Sequence, residues 1–240
     1  MRIIFVRHAE PDYANDTLTE KGWREAALLA ERVSGWDVMD FYVSPLGRAR
    51  DTASLSLKKM GRTAETFDWL REFHGPVNDP TRGENVIPWD FYPEYWTKIP
   101  EMYDKDGFGN TEVMKSGRVM EEYVRISGEL DALLAKYGYV REGGLYRTGK
   151  TEGAAHDATI VLFCHMGVTL FLCSHLLGIS PVVLTSGFFL APASVTVLAS
   201  EERCPGTAYF RCQTAGDTSH LRAGGELVSE MGYFTEPFQG

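Results

Sequence analysis

Thr159-Ile160-Val161-Leu162-Phe163-Cys164 is a continuous apolar and β-branched run, the pattern of a strand buried on both faces. Such a strand belongs to a sheet covered by helices on either side, because a sheet with one wet face would need polar residues at alternate positions. Arg2 to Val6 is a second short run of the same type. Each is followed at once by a histidine, His165 after the first and Arg7-His8 after the second. Between them, Leu18-Thr19-Glu20-Lys21-Gly22 leads into Trp23 to Val33, where Ala26, Ala27, Leu29, Ala30 and Val33 recur at helical spacing. Thr19 is a suitable N-cap, while Gly22 weakens the first turn. Phe41 to Val43 reads as a strand, Ser44-Pro45 as a break and Leu46 to Met60 as a helix. The opening is β-α-β-α, and the fold class it predicts is α/β: a three-layer α/β/α sandwich with a mostly parallel central sheet.

The length of 240 residues suits one such domain carrying an insertion. After a third strand at Ala64 to Phe67, residues 74 to 157 form that insertion. Its first part, His74 to Asn110, holds most of the prolines and many aromatics, among them Trp89, Phe91, Tyr92, Tyr95, Trp96, Tyr103 and Phe108. It is placed to form a lid over an active site, with a satellite core under a long excursion as the alternative. Val113 to Tyr139 reads as one long helix, and Arg141 to Asp157 as an exposed, glycine-rich loop. Met166 to Leu177 reads as a helix closed by Gly178, and Phe188 to Leu190, Ser194 to Ala199 and Ala208 to Gln213 as three closing strands.

Lys and Arg total 24 against 33 Asp and Glu, a formal charge of −9, which argues against a nucleic-acid partner. A phosphate site on such a chain must be a local cluster of cations sunk in a pocket. No stretch is apolar for long enough to span a bilayer, and the short run after Arg2 is too short for a signal-peptide core, so no membrane partner and a cytoplasmic setting are expected. Cys164, Cys173, Cys204 and Cys212 show no C-x-x-C spacing and read as buried thiols. Neither an H-E-x-x-H helix nor a set of metal-ligand spacings is present, so no metal is expected.

His8 and His165 stand in matching places at strand ends, where open α/β sheets bind ligands. One such histidine alone is as often structural; a pair is harder to dismiss. Arg7, at the end of a buried strand, needs an anionic partner or a route to solvent. A phosphate would accept bidentately, and an internal carboxylate is the alternative.

Arg7-His8-Ala9-Glu10 resembles the Arg-His-Gly/Ala-Glu signature of the histidine phosphatase superfamily, which includes the cofactor-dependent phosphoglycerate mutases. Leu18 to Gly22 resembles that family's Leu-Thr-x-x-Gly helix start. Ser44-Pro45-Leu46-Gly47-Arg48-Ala49-Arg50-Asp51-Thr52-Ala53 resembles its Ser-x-Leu-x-Arg-Ala-x-x-Thr-Ala motif, and Phe163 to Gly167 resembles the segment carrying its second histidine. Four matches in order cover roughly the first 60 residues and about 159–178; the middle of the chain is uncovered. The resemblance implies a phosphohistidine on His8, phosphate held by Arg7 and Arg48, and donation to a phosphoryl oxygen by His165, with neither metal nor cofactor. Asn15 and Met166 are further substrate-binding candidates. The arginines would also keep His8 neutral, as an attacking imidazole must be.

The leaving alkoxide needs a proton from a carboxylic acid. Glu72, in Trp69-Leu70-Arg71-Glu72-Phe73-His74-Gly75, resembles the acid of the mutase-like branch. Its alternative is a solvated glutamate, and Asp79, Glu84 and Asp90 are the fallbacks. Pro11-Asp12-Tyr13-Ala14-Asn15 and Phe73 to Asn78 depart from the mutase pattern, favouring transfer to water. The expected activity is hydrolysis of a small phosphomonoester, with a phosphoglycerate-type mutase or a non-catalytic phosphate-binding protein as alternatives. The expected partner is a small phosphorylated substrate, with a homodimer left open. His74 is expected at the surface, His156 in a polar loop, and His175 and His220 in structural positions. Met39, Trp23 and Trp36 are expected in the core.

Overall fold

The computed structural model describes residues 1–149 and 157–239; His156 lies outside them. Its elements follow in chain order. Strand β1 (Arg2–Arg7) is followed by the short antiparallel pair β2 (Pro11–Asp12) and β3 (Thr17–Leu18), helix α1 (Glu20–Val33), β4 (Asp40–Val43), α2 (Gly47–Met60) and β5 (Glu65–Thr66). The middle of the chain contributes a hairpin, β6 (Val77–Asp79) and β7 (Gly83–Val86), then α3 (Pro93–Trp96), α4 (Glu112–Lys115), α5 (Val119–Lys136), β8 (Val140–Glu142) and β9 (Leu145–Arg147). The last part supplies β10 (Thr159–Cys164), α6 (Met166–Leu177), α7 (Pro181–Gly187), β11 (Val195–Cys204), β12 (Thr207–Asp217) and α8 (Ser219–Ala223).

One eight-stranded sheet runs in the order β5-β4-β10-β1-β11-β12-β9-β8. The predicted buried strand, β10, lies between β4 and β1 and is parallel to both. Alternation along β1 and β10 feeds two cores. Ile3, Phe5, Ile160 and Leu162 face α5 and α6, while Ile4, Val6, Val161 and Phe163 face α1 and α2. That is the predicted three-layer arrangement. The sheet is mixed: β5, β4, β10 and β1 pair in parallel, whereas β11, β12, β9 and β8 close it in antiparallel fashion.

Several local expectations need correction. Phe188 to Leu190 forms no strand; it is an irregular segment after α7, and its Leu190 carbonyl accepts from Arg7. The long helix is broken at Ser116–Arg118, where a Cβ on Gly117 would collide with the Pro76 carbonyl. Arg141 to Arg147 lies within a hairpin that joins the sheet edge beside β12. Cys204 and Cys212 are exposed, as are Trp23 and Met39. Thr19 does cap α1 by accepting from Gly22. Gly22 is required for contact: a Cβ there would strike the carbonyl of Glu10. Within the aromatic segment, Trp89, Phe91 and Phe108 are buried in the larger core while Tyr92 and Tyr103 are exposed.

Candidate active site

The parallel register pairs Arg7 with Cys164, so the residues that follow leave the sheet side by side. The His8 N–H donates to the Cys164 carbonyl at 3.0 Å, and the rings of His8 and His165 lie 5.1 Å apart between centroids. Both are buried. On the neighbouring strand, β4 ends at Val43, Ser44 donates its N–H to Phe163, and the first turn of α2 presents Arg48. Arg7, Arg48 and both histidines thus gather at the carboxyl ends of three adjacent parallel strands, where βα turns converge.

His8 Nδ1 lies 2.8 Å from the Ala9 carbonyl. A carbonyl can only accept, so Nδ1 carries the proton and the Nε2 lone pair is left available. Burial, then the charges of Arg7 and Arg48, hold His8 well below the usual histidine pKa, against the pull of the Ala9 carbonyl. Burial, then His8 and the two arginines, do the same to His165. Both rings are therefore neutral at physiological pH. Arg7 donates to the Leu190 carbonyl and towards the Met166 sulfur at 3.7 Å, and its guanidinium lies 5.3 Å from the Phe189 ring centroid. Tyr233 packs against Phe189, with ring centroids 3.9 Å apart. Arg48 donates to Asp16 at 2.7 Å and lies 5.4 Å from the Tyr13 ring centroid. Among the described residues, the buried Nε atoms of Arg7 and Arg48 and Nδ1 of His165 have no hydrogen-bond partner. Buried polar atoms of this kind are normally satisfied.

Glu72 reaches the same place from the loop after β5. Its Oε1 accepts from the N–H groups of Phe73 at 2.8 Å and Val168 at 2.9 Å, and its Oε2 from Gly167 at 3.2 Å. The carboxyl group is seated on the first turn of α6, against the N–H groups two and three residues after His165. A Cβ at Gly167 would stand 2.7 Å from both Glu72 Oε1 and the Trp89 ring, so glycine permits this seat. Glu72 also lines a cavity of about 570 Å³ with Arg71, His74, Arg118 and Arg125, and His74 is exposed there.

Other candidates stand apart. Asn15 is exposed and donates to Asp12 at 2.7 Å; its neighbour Asp16 is the residue that engages Arg48. The fallback carboxylates interact elsewhere: Asp79 accepts from Thr81, Glu84 is exposed on β7, and burial raises the pKa of Asp90, against Arg82. His175 contacts Asp131 at 2.9 Å. His220 is buried and held down to about 4, by burial first and Arg32 second.

The loop carrying His8 is anchored by residues that the sequence did not single out. Thr52 accepts from the Ala9 N–H at 3.0 Å, and Glu25 accepts from the Glu10 N–H at 2.8 Å. Glu10 in turn accepts from Thr19 at 2.8 Å and from Ser229 at 2.6 Å. Glu25 was readable as an acid on the apolar face of α1, in line with Gly22, Ala26 and Leu29. It is fully buried, and burial pushes it up to about 7, against the Glu10 N–H and Lys21. A folded-state pKa above the unfolded value gives stability that is full below about 4.5 and is lost as pH rises through 7. Glu25→Gln is therefore expected to gain stability over the parent as pH rises from 5 to 8, by about 2 to 3 kcal/mol. Urea unfolding at both pH values measures this, and a pH-independent difference would mean that Glu25 ionises in the folded protein as it does in the unfolded chain.

The sequence model of the histidine phosphatase superfamily (branch 1) matches residues 3–123, half of the chain. A 2,3-bisphosphoglycerate-dependent phosphoglycerate mutase from Thermoplasma acidophilum is 40% identical over 79 residues, which cover 29% of this chain and 40% of the mutase. The chain thus spans less than half of that relative's length in the match. Among solved structures, a mycobacterial glucosyl-3-phosphoglycerate phosphatase bound to VO3 aligns over 90% of this chain and 98% of its own, with a TM-score of 0.57 and 19% identity. A phosphoserine phosphatase mutant from Entamoeba histolytica, in complex with phosphoserine, aligns over 92% and 98%, with a TM-score of 0.56 and 19% identity. At these identities the likeness is one of fold.

Proposed function

This chain belongs to the histidine phosphatase superfamily (branch 1), and from that premise we propose that it hydrolyses a small phosphomonoester through a phosphohistidine on His8. The observation that carries the reading is the set of buried, unpartnered nitrogens, Arg7 Nε, Arg48 Nε and His165 Nδ1, gathered around a histidine whose Nε2 lone pair is free. Phosphoryl transfer asks for little more than an aligned nucleophile and donors for the equatorial oxygens.

In the first step Nε2 of His8 bonds to phosphorus as the ester P–O bond breaks. Glu72 gives its proton to the departing alkoxide oxygen. Oε2 suits that role, because it accepts from one backbone amide at 3.2 Å whereas Oε1 accepts from two at shorter range. In the second step Glu72 takes a proton from water as the water oxygen attacks phosphorus and the P–N bond breaks, releasing inorganic phosphate and restoring His8. Arg7 and Arg48 supply the positive charge, so the scheme is metal-independent and of the acid-phosphatase type. The leaving group would occupy the cavity beside Glu72, where the segment after Glu72 acts as lid and specificity wall. The expected setting is the cytoplasm.

The mutase relative supports a second reading in which the phosphoryl group passes to an alcohol. Assay of an activated aryl phosphate and of 3-phosphoglycerate, each with and without chelator, separates the two. Release of inorganic phosphate unaffected by chelator is expected. Isomerisation of 3-phosphoglycerate without release would establish the mutase, and loss of turnover on chelation would overturn the metal-free scheme.

A further inference from the structure

Ser44 ends β4 and is fully buried. Its hydroxyl lies 2.8 Å from His165 Nε2 and accepts the Leu46 N–H at 3.3 Å. A serine hydroxyl has one proton to give and two lone pairs to receive with. Leu46 takes one lone pair, which leaves two arrangements for the contact with His165. If Nε2 carried the ring proton it would donate into the second lone pair. The Ser44 proton would then have no acceptor among the described residues. If the hydroxyl instead donates to Nε2, its proton and one lone pair are both paired and the ring proton sits on Nδ1. Leaving a buried hydroxyl proton unpaired is costly, so the second arrangement is favoured.

We propose that Ser44 is a positioning residue that writes the tautomer of His165, making Nδ1–H the donor that meets a phosphoryl oxygen. His8 and His165 are thereby set in the same tautomer by different means. A backbone carbonyl accepts from Nδ1 of His8 and frees its Nε2 to attack, whereas a hydroxyl donates to Nε2 of His165 and frees its Nδ1–H to bind. One ring becomes a nucleophile and the other an electrostatic donor, although both are neutral. A protonated phosphoryl oxygen would not be needed for binding, and the dianion is the form this donor suits.

The inference rests on the phosphohistidine reading only for the identity of the acceptor; the tautomer is testable without turnover. Long-range proton–nitrogen correlation spectra of 15N-histidine-labelled protein, with His165 assigned by the signals missing in His165→Asn, should show a protonated Nδ1 and an unprotonated Nε2. A protonated Nε2 in the parent protein would overturn the proposal outright. In Ser44→Ala the tautomer is expected to become mixed, with kcat reduced roughly 10- to 100-fold, by analogy with the loss of orienting partners of metal-bound histidines. Ser44→Thr, which keeps the hydroxyl, should restore both. A folded Ser44→Ala protein with an unchanged tautomer and unchanged kcat would also defeat it. If the tautomer is as stated but no phosphoester is turned over, the failure belongs to the hydrolase reading and not to Ser44.

Discussion

His8→Ala is expected to lose phosphomonoesterase activity by roughly 10⁴-fold or more, with folding retained. The nucleophile is the one group in the cluster without a substitute. Arg7, Arg48 and His165 remain to bind the phosphoryl group, so affinity for inorganic phosphate or vanadate should fall far less than kcat. Acid sensitivity and alkali stability of the bound label identify a phosphorus–nitrogen bond. Rapid quenching in alkali should therefore capture labelled parent protein that loses its phosphate on acidification, and His8→Ala should carry no label. Turnover of the variant within tenfold of the parent would place the nucleophile elsewhere. The pH profile adds an independent check. Because burial and then Arg7 hold His8 well below the usual histidine range, its attacking form persists on acidification. The activity should therefore not fall with the midpoint near 6.5 that an unperturbed imidazole would impose.

The parts of this site that were legible in the sequence are those that local pattern dictates. Thr159 to Cys164 could only be a strand buried on both faces, and an adjacent parallel strand at β1 then brings His8 beside His165. Arg48 follows from the break at Ser44-Pro45, which starts α2 at the end of β4. What pattern could not supply were contacts made across distance by ordinary residues. Ser44 and Thr52 stood inside a recognisable motif, yet their contacts to His165 and to the Ala9 N–H arise only when β4 packs beside β10 and α2 beside the His8 loop. Asn15 was a reasonable phosphate ligand by composition, but Asp12 claims its amide and Asp16 takes the place at Arg48. One of the three closing strands was misread for a related reason, while the other two formed as β11 and β12. Phe188 to Leu190 is strand-like in composition, but it is irregular, and its Leu190 carbonyl accepts from Arg7.

Glu72→Gln should lower kcat by roughly 10²- to 10⁴-fold for an alkyl phosphate, the span usual for a positioned proton donor, and far less for an aryl phosphate whose leaving group needs little protonation. The contrast between substrates matters more than either loss alone. Glu72 accepts from three backbone amides, and Gln offers one acceptor oxygen and an NH₂ group. One end of the carboxamide must therefore face a donor it cannot receive. If Oε1 of the amide keeps Phe73 and Val168, its NH₂ confronts the Gly167 N–H, and relief by a shift in the first turn of α6 is the competing outcome. That displacement would disturb His165 and Met166, which start the same turn, for every substrate alike. A loss equal for alkyl and aryl esters would therefore report a structural fault at the start of α6. A loss that grows as the leaving group becomes more basic would report the missing proton. An unchanged rate with the alkyl ester would move the acid away from Glu72, with half-buried Asp90, whose carboxyl is already raised by burial, as the next residue to replace.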